Sequence, residues 1–541
     1  MRLVFKLGES NFRGMIEGKS FFVDKSLFIK EVIEEGSEVV LITRPRRFGK
    51  SLNFSMLKYF FDIKEDSREL FEDLKISREK ESLKHMNKYP VVDMTLKDVT
   101  GSSWGNTKDV LRVKMGKIYE KFKDDVWDCL TDKQKKIYTS IEEEEASEAH
   151  LIESLLSLTE YLEKRYGKKV VVLIDEYDAA MMNMYGREGY EECVDFFRQF
   201  YGNALKGNDS LHKALMTGIM RVAEEGMLSG LNNVTVYTLL SERFSKHFGF
   251  LEEEIEDVLK EEGLSLEETK KYYNGYKFGN NLIYNPWSIT NLLHQKDYST
   301  YWINTGLGAK NLIMDSLPSH NDVVGKYLEK LIEGGSVISE IPEGISLQNL
   351  RRDEESFWSL MLYSGYLTKE EKLHEMPSKY SLKIPNEEVK SFYMWILKEL
   401  SREVSSKNIM ELLIENKSNE FEEKLNEAIL KGISYYDNSE LFYHGLMYAM
   451  SKTLNDYEVL SNVESGNGRP DIMIEGKEEG IIIEIKRAKS DLKKSSKEAI
   501  EQIKEKRYWE RLGKEVKEVK LVRLSFKSKE AKILVEDIAI S

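Results

Sequence analysis

The stretch Glu38-Val-Val-Leu-Ile-Thr-Arg-Pro-Arg-Arg-Phe-Gly-Lys-Ser-Leu52 decides the fold that this sequence predicts. Its apolar run Val39–Ile42 is typical of a buried β-strand, and a helical pattern runs from Ser51 to about Phe61. A strand, a loop with Gly-Lys-Ser and a helix form the context of a phosphate-binding P-loop. In such a loop backbone N–H groups face the phosphate, Lys50 supplies a positive charge, and Ser51 offers a hydroxyl to Mg²⁺.

Two residues of this loop depart from the usual pattern. Arg44 stands where a glycine six residues before the lysine is usual, and Pro45 has no N–H to donate. Gly-Lys-Ser by itself is equally well explained as an ordinary helix N-terminus. The P-loop assignment therefore needs support from another part of the chain.

A second apolar run, Val170–Ile174, ends in the two carboxylates Asp175 and Glu176. A continuous apolar run is typical of a strand buried on both faces of a parallel sheet, and ligands bind at the carboxyl ends of such strands. We expect Asp175 to hold Mg²⁺ through water and Glu176 to activate the attacking water. The alternative, which the upstream P-loop disfavours, is a helix N-cap cluster on a surface turn.

Further candidate residues follow between Ala214 and Ser288. A third strand is predicted to run into Ala214–Ile219, where Thr217 would sense the γ-phosphate and Arg221 would reach it. An ordinary turn at a strand end explains these two residues equally well. The segments Tyr272–Gly279 and Tyr284–Ser288 are rich in aromatic and turn residues. They could line a base-stacking groove, but packing of one subdomain on another is the preferred interpretation.

The C-terminal part contains a second chemical centre, in two predicted strands joined by a polar turn. Glu484 and Lys486 are two residues apart on one strand and face the same side, and the hairpin brings Asp471 opposite them. Two carboxylates that hold Mg²⁺ and a lysine that orients water suit phosphodiester hydrolysis. An exposed strand with alternating charge is disfavoured, because the flanking residues 481–483 and 485 are all apolar isoleucines.

Accessory residues are predicted around this centre. Glu440 opens a helical pattern and is either a further metal ligand or a glutamate that favours the helix dipole. Gln502 and Tyr508 could bracket the site. Residues 486–532 contain 17 Lys and Arg against 8 Asp and Glu. Such a local positive field attracts a nucleic-acid backbone, although a solvated helix face explains much of the excess too.

Composition limits the remaining classes. The formal net charge of −14 disfavours a simple electrostatic nucleic-acid binder. Cys129 and Cys193 are the only two cysteines, too few for a disulfide framework or a four-cysteine zinc site. The sequence contains neither the apolar core of a signal peptide nor a run of about 18 apolar residues. We expect a soluble, cytoplasmic protein without a membrane partner.

The ordered set of motifs resembles the AAA-ATPase-like family, whose members commonly carry a C-terminal PD-(D/E)xK nuclease domain. The resemblance extends from about Phe12 to about Phe526 and is weakest over 300–430. Arg44-Pro-Arg-Arg-Phe-Gly-Lys is the family's usual loop, and it implies that Arg44, Arg46 and Arg47 share phosphate binding with Gly49 to Leu52. The matching segments are Phe22-Val-Asp-Lys-Ser26, Arg44–Ser51, Leu173-Ile-Asp-Glu-Tyr-Asp178, Thr217-Gly218 with Arg221, Gly230-Leu-Asn-Asn233, Tyr273-Asn-Gly-Tyr276, Tyr284-Asn-Pro-Trp-Ser288, Asn462–Gly468, Arg469-Pro-Asp471 and Glu484-Ile-Lys486.

The predicted fold class is α/β, in three parts. Residues 1–286 form a P-loop NTPase parallel sheet with flanking helices, 287–404 a mainly helical, winged-helix-like region, and 405–541 a restriction-endonuclease-like domain. The predicted function is ATP binding and hydrolysis coupled to Mg²⁺-dependent cleavage of nucleic acid, with DNA favoured. One alternative is a nucleotide-controlled binding switch whose nuclease fold is a docking module. Another, less favoured, is a small-molecule kinase. Assembly into a homo-oligomer is left open.

Overall fold

The computed structural model divides into two compact units. The first unit comprises residues 1–319 and 337–389, and the second comprises 320–336 and 390–541. Within the described part of the chain, no helix combines the length and the apolar character needed to cross a membrane. The described residues are 4–222, 233–305, 308–317, 327–328, 330–402, 406–432, 440–451, 454, 456–461, 463–466, 468–487, 504–513, 515–527 and 530–540.

A five-stranded parallel sheet forms the centre of the first unit. Its strands are β1 (Val39–Thr43), β2 (Val91–Thr95), β3 (Val170–Asp175), β4 (Leu211–Gly218) and β5 (Val234–Tyr237), in the order β2-β3-β4-β1-β5. Both β1 and β3 are buried along their whole length, which confirms the prediction from their continuous apolar runs. Because all five strands are parallel, the loop after β1 and the carboxylate that ends β3 meet at one edge of the sheet.

Helices pack around this sheet. Several begin at a residue whose side chain accepts a hydrogen bond from the third backbone amide of the helix, as Ser103, Thr131 and Asn285 do. Three long helices lie between Trp104 and Tyr166. The helices are Phe12–Glu17, Leu27–Glu34, Lys50–Phe61, Arg68–Phe71, Lys80–Leu83, Trp104–Val126, Asp132–Glu142, Glu148–Tyr166, Ala179–Met184, Tyr190–Leu205, Glu252–Glu261, Leu266–Tyr273, Pro286–Gln295, Gly308–Ser316 and Glu354–Tyr363, with 3₁₀ turns at Lys75–Arg78, Trp127–Cys129 and Leu347–Arg351.

Two small antiparallel sheets complete the first unit. One is the hairpin β6 (Tyr276–Phe278) and β7 (Asn281–Ile283), and the other has the order β8-β10-β9, with β8 at Val337–Glu340, β9 at Thr368–His374 and β10 at Lys379–Lys383. The helix Glu354–Tyr363 precedes the hairpin of β9 and β10, an order that suits the winged-helix-like region expected from the sequence. Every residue from Ser356 to Tyr363 of that helix is buried. The helix is a packing element, and its surface is not free to enter a nucleic-acid groove.

The second unit is built on a mixed sheet whose strands are β11 (Glu458–Ser461), β12 (Ile472–Glu475), β13 (Glu479–Arg487), β14 (Glu518–Lys527) and β15 (Glu530–Ala539), in that order. Its one parallel pair, β13 with β14, lies between antiparallel pairs, and it includes the predicted hairpin β12–β13. Helices pack on the sheet, and Tyr443 stacks on Phe526 with ring centroids 4.0 Å apart. The helices of this unit are Ser406–Ile414, Ser418–Gly432 and Glu440–Ser451, and a 3₁₀ turn lies at Tyr508–Arg511. The helix Glu387–Arg402 contains the boundary between the two units.

The predicted fold class is confirmed for both sheets and for the helical region between them. The division of the chain at residues 286 and 404 stays a prediction.

Candidate functional site

Lys50 lies at the start of the helix that follows β1. Gly49 before it adopts a left-handed conformation with φ +85°, and Lys50 itself is only 4% exposed. Its Nζ donates to the carbonyl oxygens of Arg44 and Pro45, each at 3.0 Å. Burial lowers the pKa of Lys50, and nearby carboxylates, Glu176 first, oppose the shift. No carboxylate of the described residues lies within 4 Å of its Nζ, so this buried cation suits an anionic ligand such as a phosphate.

Asp175 ends β3 next to this loop. Its Oδ2 accepts a hydrogen bond from Ser51 Oγ at 2.6 Å, and its Oδ1 accepts a longer one from Thr217 Oγ1 at 3.4 Å. Burial is the largest cause that raises the pKa of Asp175. The adjacent Glu176 has a left-handed backbone with φ +53°. A hydroxyl and a carboxylate in contact are the hard oxygen ligands that Mg²⁺ takes, so these residues fit the ion that the sequence implies.

Asp178 is a buried residue of this edge for which the sequence suggested no role. Its Oδ2 accepts backbone hydrogen bonds from Ile219 at 2.7 Å and Met220 at 3.2 Å, and its side chain is 1% exposed. Burial raises the pKa of Asp178 to about 6. The carboxylate thus joins the turn after β3 to the end of β4. Asp178 lies three residues after Asp175 in the sequence, and this spacing does not predict its bonds to the backbone of Ile219 and Met220.

The phosphate-binding role expected for Arg44 stays a prediction, because its side chain has partners within the protein. Its guanidinium is fully buried, donates from Nη1 to the carbonyl oxygens of Thr43 at 2.7 Å and Tyr237 at 3.1 Å, and lies 5.3 Å from the ring centroids of Phe248 and Phe278. Burial lowers the pKa of Arg44 to about 9. Arg44 directly follows β1, and its side chain does not line the cavity around Lys50.

The other two arginines of the loop do line a cavity. This cavity has a volume of about 600 Å³, and it is also lined by Gly49, Lys50, Ser51, Leu52, Asp175 and Glu176. The carbonyl oxygen of Arg46 accepts a hydrogen bond from Trp302 Nε1 at 3.0 Å. The guanidinium of Arg47 lies over the ring of Trp287, with 4.2 Å to the centroid. The loop is thus fixed to two tryptophans from later parts of the chain.

The two candidate sensor residues differ in position. Thr217 contacts Asp175 but does not itself line the cavity. Arg221 lies outside the lining, and its Nη1 pairs with Glu343 at 3.2 Å. The role expected for Arg221 at the phosphate therefore stays a prediction. Glu343 lies 122 residues further along the chain, so no local pattern predicts the pair.

The second unit brings the predicted carboxylates and lysine together. Asp471 Oδ2 accepts a hydrogen bond from the backbone N–H of Ile485 at 2.6 Å, which fixes the carboxylate against β13. Glu484 is 4% exposed, and burial together with the charge of Asp471 raises its pKa to about 7, while Lys486 opposes the shift. Two carboxylates this close repel each other, and a bound cation relieves that repulsion. The pair therefore fits a divalent metal ion.

Arg523 and His444 also contact residues of this site, and neither was predicted from the sequence. Arg523 is paired with Glu484 in the parallel register of β13 and β14, and its Nη1 lies 4.0 Å from Glu484 Oε2. His444 Nε2 lies 2.8 Å from the carbonyl oxygen of Asp471, so this nitrogen carries the donated proton. Pairing of strands more than 30 residues apart has no local sequence signal.

The accessory predictions have mixed outcomes. Glu440 does begin the helix Glu440–Ser451, but its side chain lies outside the described residues, as do Gln502 and residues 230–232, 462 and 467. Tyr508 is buried, and its carbonyl oxygen accepts a hydrogen bond from Ser465 Oγ. The described residues contain no group of three or more His, Cys, Asp or Glu side chains placed to hold a metal ion. Asp471 and Glu484 lie close together, and their roles as metal ligands stay predictions.

Comparison with known proteins agrees with both regions. Residues 6–228 match the family model described as "Predicted AAA-ATPase", and residues 438–536 match that of the PD-(D/E)XK nuclease superfamily. The chain is 27% identical over 392 residues to an uncharacterized protein in the vnfD 5′ region of Azotobacter chroococcum mcd 1. The aligned residues are 71% of this chain and 68% of that protein. A Walker-type ATPase of Pyrococcus abyssi is 14% identical, with a TM-score of 0.35 over 73% of this chain and 98% of its own, a likeness too distant to carry an argument.

Proposed function

Since the chain contains an AAA-ATPase-like region and a PD-(D/E)XK nuclease superfamily region, we propose that it binds and hydrolyses ATP and cleaves nucleic acid with Mg²⁺, the two activities being coupled. DNA is the favoured substrate. We assign the protein to the cytoplasm, since Cys129 and Cys193 are both free thiols.

The observation that carries the nucleotide part is the 2.6 Å contact between Ser51 Oγ and Asp175 Oδ2 beside a buried lysine without an ion pair to a described carboxylate. In the proposal Lys50 neutralises the phosphates, and Ser51 and Asp175 hold Mg²⁺, directly or through water. Glu176, which lines the same cavity, accepts the proton of the attacking water. When bound, Mg²⁺ neutralises negative charge on the phosphates.

The nuclease part is supported by the raised pKa of Glu484, because it arises from burial next to Asp471. In the proposal these two carboxylates hold the metal ion, and Lys486 orients the water that attacks the phosphodiester. Asp471 is already fixed by the backbone of Ile485, and Arg523 balances part of the negative charge. The site therefore needs little rearrangement of its protein ligands when a metal ion binds.

The test is a titration of nucleotide and Mg²⁺ or Mn²⁺ with plasmid and single-stranded DNA, on the wild type, Lys50→Ala and Lys486→Ala. We expect Lys50→Ala to abolish ATP hydrolysis, and Lys486→Ala to abolish cleavage but retain ATP hydrolysis. Lys58→Ala is the control for the first variant, since Lys58 is on the same helix and pairs with Asp93 at 3.1 Å outside the cavity. Cleavage that persists undiminished in Lys486→Ala would refute the nuclease assignment.

A second candidate function is a nucleotide-controlled switch without turnover, with the nuclease fold as a docking module. It is favoured by the bonds from Lys50 to the carbonyls of its own loop, because a bound phosphate must replace them and so change the loop. Nucleotide-dependent self-association or DNA binding, without release of phosphate, would support this function. Rapid hydrolysis of ATP that Glu176→Gln abolishes would exclude it.

A further inference from the structure

The cavity at the P-loop also has an aromatic wall. Phe21, Phe22, Phe250 and Trp287 line it together with the loop residues around Lys50. The phosphates of a bound nucleotide would contact the polar wall of this cavity. They would leave the aromatic wall free to contact another part of the ligand. A nucleobase is the part of a nucleotide that fits such a surface, because every base has a π-face.

Trp287 is held as a fixed plate in this wall. It lies in the first turn of the helix Pro286–Gln295, which Asn285 caps through a 3.1 Å bond to the N–H of Ser288. Its Nε1 donates to the carbonyl oxygen of Tyr301 at 3.2 Å, which fixes the plane of the indole. Its ring is only partly buried, and a β-carbon added at Gly8 would lie 3.5 Å from its Cζ3. The ring is thus oriented from one side while it remains accessible.

The accessible face of Trp287 already bears a flat cation. The guanidinium of Arg47 lies 4.2 Å from the ring centroid, although Arg47 is an exposed residue of the P-loop itself. A guanidinium and a purine ring are both planar groups that stack on an indole, so each can replace the other there. Arg47, Trp287 and Lys50 line one cavity, so the Arg47 side chain can contact either the ring or a phosphate bound at Lys50.

We propose that Trp287 is the stacking platform for the base of a purine nucleoside triphosphate. The base takes the place of the Arg47 guanidinium on the ring, and Arg47 turns to the phosphates on the P-loop. The inference rests on the proposed nucleotide binding and adds to it the position and class of the base. It revises the interpretation of Tyr284–Ser288 as a packing segment, because Trp287 is partly exposed within a cavity, whereas Tyr284 and Asn285 are buried.

The test measures binding of ATP, CTP and inorganic tripolyphosphate, each with Mg²⁺, by calorimetry to the full chain. We expect Trp287→Ala to weaken ATP binding by about 5- to 150-fold, the range for loss of one base-stacking ring, and to change tripolyphosphate binding less than two-fold. CTP, with its smaller ring, should lose less than ATP. Trp287→Phe should recover most of the affinity. Trp127→Ala is the matched control, since its ring carries Lys123 and Lys135 but lies outside the cavity.

Three outcomes separate the inference from its premise. Equal affinity of wild type and Trp287→Ala for ATP overturns the inference, even if both bind tightly. Equal loss of ATP and tripolyphosphate in Trp287→Ala also overturns it, because the ring then only supports the loop. Lys50→Ala that binds both ligands as the wild type does overturns the proposed nucleotide site itself.

A second readout covers the case in which Trp287→Ala does not fold. ATP should change the tryptophan emission of the wild type and of Trp127→Phe, and it should leave the emission of Trp287→Phe nearly unchanged. The same change in all three proteins refutes the inference.

Discussion

Gly49 is the residue of the P-loop where one methyl group tests the geometry of the phosphate site. Its φ of +85° is in the left-handed region, directly before Lys50 and the first amides of the helix. A β-carbon added at Gly49 would meet nothing within 4 Å. Gly49→Ala therefore introduces backbone strain without a steric clash, and the effect of conformation can be measured by itself.

The expected magnitude follows from two opposing effects. An L-residue in the left-handed region costs roughly 1–2 kcal/mol, and alanine restricts the unfolded chain and returns about 0.4–1 kcal/mol. The free energy of unfolding should fall by about 1 kcal/mol. If the loop leaves the left-handed conformation to relieve the strain, nucleotide binding must restore it. The dissociation constant of Mg-ATP should then rise by about 5- to 30-fold, the equivalent of about 1–2 kcal/mol.

Gly167→Ala is the matched control. Gly167 also has a positive φ of +63°, its added β-carbon would also meet nothing within 4 Å, and it lies before β3, whose far end carries Asp175. Urea unfolding should give similar losses for the two variants, while calorimetry with Mg-ATP should show weaker binding only for Gly49→Ala. If Gly49→Ala binds Mg-ATP as the wild type does, at the same loss of stability, the left-handed geometry is not required for binding.

Three further predictions concern other parts of the structure. Burial raises the pKa of Glu388 to about 7 from 4.5, so the free energy of unfolding should fall by up to about 3 kcal/mol between pH 4.5 and 7. Glu388→Gln, which mimics the neutral acid, should remove that decline in urea titrations at a series of pH values. The titratable neighbours of Glu388 are Tyr273, Tyr276 and Tyr301. Trp302→Phe removes the donor to the Arg46 carbonyl and should cost about 1 kcal/mol in urea unfolding and weaken Mg-ATP binding several-fold. Asn426→Ala removes the side-chain amide that hydrogen-bonds both the N–H and the C=O of the buried Ala531. It should lower the stability of the second unit by about 2–3 kcal/mol, measured by urea unfolding.

The parts of the fold that local patterns control could be predicted from the sequence. Val39–Ile42 and Val170–Ile174 are continuous apolar runs, and a strand buried on both faces is what such runs form. The hairpin that carries Asp471 and Glu484 was predictable because its strands are close in sequence. Ser51 and Asp175 are 124 residues apart, yet both were expected at one edge of the sheet, since parallel strands bring their carboxyl ends together.

What the sequence could not predict is the direction and partner of single side chains. Arg44 belongs to the loop motif but turns beneath it, because the carbonyl of Tyr237 and the rings of Phe248 and Phe278 surround its guanidinium. Arg523 lies beside Glu484 only through the parallel pairing of β13 with β14. Both positions depend on tertiary contacts that no spacing rule contains.

The bonds of Lys50 define what a phosphate gains at this loop. Its ammonium group is buried with two neutral carbonyl acceptors, at 3.0 Å each, and with no carboxylate of the described residues in ion-pair contact. These bonds are already assisted by the ammonium charge, but a carbonyl brings no opposite charge, and a buried ion that no counterion contacts is costly. A phosphate that replaces the two carbonyls therefore adds a negative charge in direct contact with the ammonium group and removes an existing cost. The loop is folded and held by Arg44 and Trp302 before this exchange, so the gain is not spent on ordering the chain.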